Sequence, residues 1–326
     1  MKRSLGSVSL AVLSCAIGCA ADVEGGNLGE EATYDDEVVS TATEALVGGW
    51  ASGPYPWDQS LSRRKLPSVA GNVCVLTRLT GKFEGMGEGV RVTDDGRNWY
   101  LDGFSAQRDL AAEAYCFPRS EFQGVDGNTR VSSEYELWAR GASSSCGRTV
   151  QMEMYASDAF AFLSGVQGAL HGAAEYAGVF QALSTDLLST VEARSCNAGG
   201  LSAFARSFRV GTRTERLARF ALDDEQRDEF QVGDGAPSNQ AVMGRTERTM
   251  CAFTRIQGKF AGGGEWVQIR PEKVDGVERW VLRSSRGAGS SYVHARARCF
   301  LRDQRTPVLG PFPGSGGGLP PGLEPL

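Results

Sequence analysis

Few residues of this chain have the types and spacing that catalysis or metal binding requires. The two histidines of the sequence, His171 and His294, are accompanied by neither an HExxH motif nor a paired CxxC motif. The sequence therefore predicts no metal site, no cofactor site and no catalytic Ser-His-Asp set. His294 lies beside Arg296 and Arg298 in an alternating segment, which predicts a solvated side chain on a strand.

Three glutamates recur next to glycines and are the first candidates for a binding role: Glu88, Glu175 and Glu265. Each could contact a ligand. Alternatively, each could accept hydrogen bonds from the amides of its own glycine turn, or Glu88 and Glu265 could pair with Lys82 and Lys259. A glycoside hydrolase needs two carboxyl groups that face one bond, and nothing in the sequence places two together.

Aromatic side chains form the second set of candidates, because exposed rings can stack on sugars or anchor a protein partner. Trp266 corresponds to Tyr176 and Gly89 in the other copies of a repeat, and this variation favours an exposed position. The other recurring aromatic residues are predicted to pack in the core: Trp50, Trp99, Trp138, Phe230 and Trp280.

An internal repeat must position these residues. The pattern Cys-x-x-Thr-Arg-x-x-Gly-Lys-Phe-x-Gly-x-Gly-Glu starts at Cys74 and again at Cys251, an offset of 177 residues. A weaker copy lies between them at residues 161–175, offset by 87 residues from the first. A second motif, Ala-x-Ala followed by x-Cys-Phe or x-Ser-Phe, closes each copy, at Ala112–Phe117, Ala203–Phe208 and Ala295–Phe300. The sequence therefore predicts three units in tandem.

The cysteines follow this repeat in pairs, and two disulfides are predicted from it, Cys74–Cys116 and Cys251–Cys299. The middle copy lacks both members of the pair, which is expected of a covalent bond and not of independent thiols. Cys146 and Cys196 flank the middle copy. They either form a relocated disulfide or remain buried thiols, and sequence alone does not decide between the two.

The units read as β-structure. Residues 293–300 alternate between small side chains and large or polar ones, which is typical of a strand with one buried face. The glycines between Gly81 and Glu88 predict a tight turn between two strands. The predicted fold class is all-β, with three tandem antiparallel β-meander repeat units. We expect disulfides within units one and three and flexible tails at both ends. The predicted units are residues 46–119, 120–209 (the diverged copy) and 210–302.

Both ends of the chain predict segments outside this fold. Residues 1–21 have a basic start and a short apolar stretch, as a signal peptide does. Its ending resembles a bacterial lipoprotein cleavage site, which predicts lipidation of Cys19; ordinary cleavage after Ala21 is the alternative. Residues 22–45 predict an acidic disordered tether and residues 303–326 a disordered Pro/Gly-rich tail.

These end segments predict where the protein resides. An exported outer-membrane lipoprotein or cell-surface protein is expected, with a secreted protein as the alternative. The only membrane contact expected is the N-terminal lipid anchor. Export also agrees with the predicted disulfides, which persist in oxidising compartments.

The charge of the chain is concentrated near its ends. The 34 basic and 39 acidic residues give a net charge of −5. Outside residues 49–306 lie two basic and nine acidic residues, so that region has 32 basic and 30 acidic side chains, a net charge of +2. A nearly neutral folded region does not favour nucleic acid, and no nucleic-acid partner is predicted.

The repeated motif, with its closing Ala-x-Ala-x-Cys-Phe, is similar to repeats in uncharacterised exported proteins of myxobacteria. The segment Thr41-Ala-Thr-Glu-Ala-Leu46 resembles their mature N-termini. The resemblance covers most of the chain. That family has no assigned activity, so the resemblance implies an exported location and leaves function open.

We therefore predict an exported, surface-associated protein that binds a glycan, an envelope component or a protein, or that has a structural role. The candidate ligand-binding residues are Glu88, Glu175, Tyr176, Glu265 and Trp266. A secreted hydrolase with a site assembled between repeats is the alternative, and an inhibitor or toxin-like domain is a third hypothesis. Retention of one motif in three copies favours binding or structure, because a single active site does not need three copies.

Overall fold

The computed structural model describes residues 46–302, apart from residues 108, 123–130, 141–145, 156–158, 182–187, 197–198, 210–228, 235, 237 and 288–291. The predicted signal peptide, Cys19, the acidic tether and the Pro/Gly-rich tail lie outside the described residues. Within the described ranges the chain forms nineteen strands and one 3₁₀ helix, Arg119–Phe122, and no α-helix.

The strands of the first third of the chain are β1 (Leu46–Val47), β2 (Ala51–Asp58), β3 (Arg63–Ser68), β4 (Asn72–Lys82), β5 (Glu88–Asp94), β6 (Asn98–Ser105) and β7 (Ala111–Pro118). The middle third has β8 (Tyr135–Ala139), β9 (Gly147–Tyr155), β10 (Ala159–Gly168), β11 (His171–Phe180), β12 (Leu188–Arg194) and β13 (Leu201–Arg209). The last third has β14 (Phe230–Gly233), β15 (Gln240–Arg245), β16 (Thr249–Lys259), β17 (Ala261–Val274), β18 (Val277–Arg286) and β19 (Val293–Leu301).

Every described strand pair is antiparallel, and the strands form three sheets. Sheet A has the order β1-β2-β7-β4-β17-β18-β15, sheet B the order β3-β6-β5-β10-β13-β8, and sheet C the order β14-β19-β16-β11-β12-β9. This confirms the predicted all-β antiparallel fold class. Strand β2 shows the alternation of buried and exposed side chains that is typical of a strand with one buried face, since it buries every second residue from Ala51 to Trp57.

The three sheets follow one plan. We take the strands in sets of six that begin at β2, β8 and β14. Each sheet contains the first, sixth and third strands of one set, followed by the fourth, fifth and second strands of the preceding set. The last set counts as preceding the first, so the arrangement is closed by the pairing of β4 with β17.

This plan differs from a row of separate meanders. The strands β4 and β5 lie in different sheets and do not pair with each other. The segment 81–88 therefore crosses from sheet A to sheet B, and the tight hairpin predicted there is not formed. Each set shares its sheets with its neighbours, so the sets bury a common core.

The crossing points between sheets are joined by a ring of backbone hydrogen bonds. Phe83 N donates to Phe260 O at 3.0 Å, Phe260 N to Leu170 O at 2.8 Å, and Leu170 N to Phe83 O at 3.0 Å. These three residues hold the same position of the repeated motif, and each side chain is at most 1% exposed. The ring lies where the third strands of the three sets, β4, β10 and β16, pack together.

A glycine two residues before each ring position makes this crossing possible. Gly81, Gly168 and Gly258 have φ angles of 111°, 114° and 129°. A Cβ on any of them would lie less than 3.0 Å from a backbone carbonyl oxygen, that of Asp109, Gly200 or Tyr292 respectively. Only glycine combines a positive φ with such a close approach, which explains its presence at all three crossings.

The disulfides Cys74–Cys116 and Cys251–Cys299 are confirmed, with Cα atoms 4.0 Å apart in both. Each joins directly paired residues of the third and sixth strands of a set. Cys146 and Cys196 also form a disulfide, which decides the alternative that the sequence leaves open. Three disulfides indicate an oxidising compartment.

Aromatic rings connect the sheets in the core. Trp50 packs on Phe117 with ring centroids 5.1 Å apart, and Phe117 packs on Trp280 at 5.8 Å. Trp99 and Trp280 are fully buried, and Phe230 is nearly so. The prediction of core packing is therefore confirmed for these residues. It is wrong for Trp138, which lies on the edge strand β8 and is 47% exposed.

Candidate functional site

The three recurring glutamates lie in three different sheets, and all are buried: Glu88 in sheet B, Glu175 in sheet C and Glu265 in sheet A. Glu88 Oε2 accepts a hydrogen bond of 2.8 Å from the backbone N–H of Gly85. Glu175 Oε2 lies 3.5 Å from the position that a Cβ on Gly172 would occupy. At least the first two carboxylates thus turn back onto the glycine segment three residues earlier, as the turn hypothesis expects.

Lys82, beside the first of these segments, has another partner. Lys82 Nζ forms an ion pair of 2.6 Å with Glu84, and not with Glu88. The neighbouring glycine segment places Gly262 against Lys82, since a Cβ on Gly262 would lie 3.2 Å from Lys82 Cβ. Packing against Gly262 at the sheet crossing therefore accounts for the position of the aliphatic part of the Lys82 side chain.

Trp266 and Tyr176 occupy equivalent positions on two different sheets, both partly exposed. Trp266 lies between Thr80 and Ser285 in sheet A. Tyr176 lies between Gln257 and Arg194 in sheet C, and the guanidinium of Arg255 stands 3.8 Å from the centre of its ring. The structure does not bring the five predicted ligand-binding residues together into one site.

His294 departs from its predicted exposure. Its side chain is 4% exposed on β19, opposite Gly233 and Gln257. Its Nδ1 atom has no hydrogen-bond partner among the described residues. Burial lowers the pKa of His294 to about 4, assisted by the charges of Arg296 and Arg255. The predicted alternation of buried and exposed side chains is not seen on β19, because this strand lies between β14 and β16 and both of its faces are largely covered.

Gly89 in sheet B holds the position equivalent to Trp266 and Tyr176, and it lines a cleft that the sequence did not predict. The cleft is lined by Gly89, Val90, Arg91, Asp102, Gly103, Phe104, Gln167 and Phe204. The cleft is partly open to solvent and has a volume of about 30 Å³, which holds no more than a small group. A larger ligand would therefore lie across the cleft and not inside it. The signal in the sequence was the glycine at a position held elsewhere by Tyr176 and Trp266.

Two glycines line this depression. A Cβ on Gly89 would lie 3.0 Å from the ring of Phe104 and 3.1 Å from Gln167, so these two side chains lie close over the glycine and would have to move for a larger residue. Gly103, the next lining residue, lies against the indole of Trp57, with room for no side chain. The ring of Phe104 is left 47% exposed at the margin of the cleft.

Polar groups surround the aromatic margin. Arg91 and Asp102 are directly opposite each other on β5 and β6. The guanidinium of Arg91 stands 5.4 Å from the ring of Phe204. Gln167 Nε2 donates a hydrogen bond of 3.0 Å to Met86 O, which holds that amide beside the cleft. A positive charge, a negative charge, an amide and an exposed ring thus converge on one shallow surface.

A buried ion cluster supports Arg91 from one side. Arg91 lies 3.8 Å from Glu134, which also lies 3.8 Å from the buried guanidinium of Arg206. Arg206 forms a shorter ion pair of 2.7 Å with Asp94 and stands 4.9 Å from the ring of Trp99. Burial raises the pKa of Glu134, and the charges of Arg206 and Arg91 oppose that change.

In comparisons with protein-family models, curated proteins and solved structures, the chain matches none. Over the part of the chain that the structure describes, no helix is long and apolar enough to cross a membrane. The same residues contain no cluster of three or more histidine, cysteine or acidic side chains suited to a metal ion. Among the described residues, the cleft of sheet B brings a cation, an anion, an amide and an exposed aromatic ring together.

Proposed function

We propose that this chain is an exported, surface-associated protein that binds a glycan through the cleft of sheet B. The observation that carries the proposal is Phe104, a ring 47% exposed beside a glycine floor. An exposed aromatic face suits the apolar face of a sugar ring. The carboxylate of Asp102, the guanidinium of Arg91 and the amide of Gln167 can hydrogen-bond to sugar hydroxyls.

Charge supports a glycan in preference to a polyanion. Residues 49–306 have a net charge of +2, and the cleft itself has one cation and one anion side by side. A site for nucleic acid would instead show clustered arginines and lysines. Shallow, mixed polar and aromatic surfaces suit a ligand that is itself both polar and ring-shaped.

Location supports an extracellular ligand. The disulfides need an oxidising compartment, and residues 1–21 have the pattern of a signal peptide. We propose that Cys19 is the lipidated first residue of the mature protein and that residues 22–45 hold the folded region away from the membrane. The similarity of the repeated motif to exported proteins of myxobacteria supports the same location outside the cytoplasm.

We also propose that the three sets of six strands are diverged copies of one unit. The proposal is supported by the common strand order, by the three glycines at the sheet crossings and by the ring that joins Phe83, Leu170 and Phe260. On this proposal the equivalent outer positions are Gly89, Tyr176 and Trp266, and the cleft of sheet B lies at the one of the three that has no side chain.

Phe104→Ala tests the proposed function. Residues 22–326, prepared with disulfides intact, would be incubated with insoluble chitin, cellulose and peptidoglycan. We expect at least one polymer to retain the protein, with affinity about tenfold weaker in the variant, or about 1.4 kcal/mol. The ring is exposed, so the melting temperature should not change.

Phe180→Ala is the matched control, because Phe180 is 55% exposed on sheet C, away from the cleft. It should bind as the unchanged protein does. Equal losses in both variants would contradict the site, and no retention of the unchanged protein by any polymer would contradict the proposed function.

A further inference from the structure

A row of residues continues from the cleft across sheet B. The register pairs Phe104 with Gly89, Gly89 with Gln167, Gln167 with Ser202, and Ser202 with Trp138. Directly paired residues of an antiparallel sheet point to the same face. The row therefore crosses β6, β5, β10, β13 and β8 on one face of the sheet.

An exposed aromatic residue lies at each end of this row, and both Phe104 and Trp138 are 47% exposed. Neighbouring strands are about 4.8 Å apart, so the backbones at these two residues are separated by four spacings, or about 19 Å. Trp138 lies against the backbone at Gly200, because a Cβ on that glycine would be 2.9 Å from the indole Nε1. One side of the indole is therefore supported and the other faces solvent.

The positions between the two rings carry no side chain or a short one, apart from Gln167. Gly89 and Ser202 are buried beneath their neighbours, and the Ser202 hydroxyl is directed to Glu136 at 3.4 Å. A ligand that extends from Phe104 to Trp138 would therefore meet one long side chain of this row, that of Gln167.

The adjacent row supplies hydrogen-bonding groups near both ends of the same path. The register pairs Asp102 with Arg91, Arg91 with Gly165, Gly165 with Phe204, and Phe204 with Glu136. Polar groups occur at both ends of this second row, as they would for a chain of linked rings that carries hydroxyls along its whole length. Its mixed charges again match a neutral or weakly charged polymer.

The same row in the other two sheets is interrupted. In sheet A it reads Ser285, Trp266, Thr80, Ala111 and Asp58, and in sheet C it reads Arg194, Tyr176, Gln257, His294 and Gly233. Each has an aromatic residue at the second position, where sheet B has Gly89, and neither has aromatic residues at both ends. The open track with a ring at each end belongs to sheet B.

We infer that the ligand of the cleft is a linear polysaccharide that runs across the strands of sheet B and stacks on Phe104 at one end and Trp138 at the other. This inference rests on the proposed glycan-binding function. It adds that affinity depends on chain length, because a short oligosaccharide can contact only one of the two rings.

The test is a length series of oligosaccharides from the polymer that retains the protein, from disaccharide to octasaccharide, measured by calorimetry. In the unchanged protein, affinity should rise with length until both rings are reached. Trp138→Ala should remove that rise, with about a tenfold loss for the octasaccharide and no loss for the disaccharide. Phe104→Ala should weaken binding at every length, and Phe180→Ala should leave the series unchanged.

The outcomes separate the two proposals. Affinity that is independent of length, together with an unaffected Trp138→Ala variant, would overturn the extended track and leave the proposed function in place. Absence of binding at every length would overturn both. Both aromatic side chains are exposed, and matching melting temperatures would show that each variant remains folded.

Discussion

His294 shows how a single buried side chain responds to its surroundings. It lies on β19 with the ring of Tyr292 stacked at 6.4 Å, and its pKa responds to the charges of two arginines, Arg296 and Arg255, and of two carboxylates, Glu229 and Asp234. Burial and the two arginines disfavour the imidazolium, and the two carboxylates only partly offset them. The neutral ring is therefore the form that this fold accepts.

We predict that His294 makes stability depend on pH. The folded pKa of about 4 lies below the unfolded value of about 6.5, so the unfolded chain binds more protons. Stability is therefore present above the unfolded pKa and is lost as pH falls through about 4. The loss from this group should reach about 2–3 kcal/mol.

Denaturant unfolding at pH 7 and pH 4 measures this effect. His294→Phe should lose less stability between the two pH values than the unchanged protein does. His171→Gln is the matched control, because the other histidine of the chain is exposed on β11. An identical pH dependence in all three proteins would contradict the assignment.

Exposure was the residue property that the sequence predicted least well. The repeat located Gly89, Trp138 and His294 within the units, but exposure depends on which strands lie beside them. Trp138 lies on an edge strand and His294 on a strand between two others, and strand order across units was not visible in the local pattern. The sequence assigned Gly81 to a tight turn, and that interpretation was wrong: Gly81 lies at a crossing between two sheets, where a Cβ would meet the carbonyl oxygen of Asp109 from a distant part of the chain.

At the scale of strands, the third and sixth members of each set form the most constant element. In sheets A and C this pair is joined by Cys74–Cys116 and Cys251–Cys299. In sheet B the same register pairs Ala161 with Ser207, both fully buried. These disulfides were predictable because two cysteines were lost together, whereas the assignment of β4 and β5 to different sheets required knowledge of the long-range pairing.

We predict that Ala161→Cys combined with Ser207→Cys forms a fourth disulfide. The Ser207 hydroxyl has no hydrogen-bond partner among the described residues, so its replacement removes no bond. The closed loop would be close in length to the native loops with separations of 42 and 48 residues. In the chain-entropy picture such a loop adds up to about 4 kcal/mol.

Mass spectrometry after alkylation of free thiols detects the new bond, and a thermal melt measures its effect. The oxidised double variant should melt several degrees higher than the unchanged protein. The two single variants are the controls and should show no increase. Free thiols in the double variant, or a bond without any increase, would contradict the predicted register.

The molecule as a whole is closed by contacts between its first and last sets of strands. β4 pairs with β17, and Phe83 N donates to Phe260 O. The ends of the described chain are also close, since the guanidinium of Arg302 stands 5.4 Å from the ring of Trp50. The three sets therefore share one core, which the sequence could not establish, because a repeat in the sequence is equally compatible with three independent domains.

This closure predicts that folding requires all three sets of strands but does not require them to follow one another in the natural order along the chain. A circular permutant that runs from residue 131 to 302, through a short linker, and then from 46 to 122 keeps every strand of the three sheets. It should fold and unfold in one cooperative transition.

The fragment 46–209 keeps Cys74–Cys116 and Cys146–Cys196 but removes the partners of β4 and β11 in sheets A and C. It should fail to fold as a cooperative monomer, because β4 and β11 lose their partners β17 and β16 and the ring loses Phe260. Circular dichroism and denaturant unfolding of both proteins, with oxidation of the disulfides verified, provide the comparison. A fragment that unfolds cooperatively as a monomer would show that the sets are independent domains. Failure of the permutant alone would show instead that the connection between the first and second sets is required for folding.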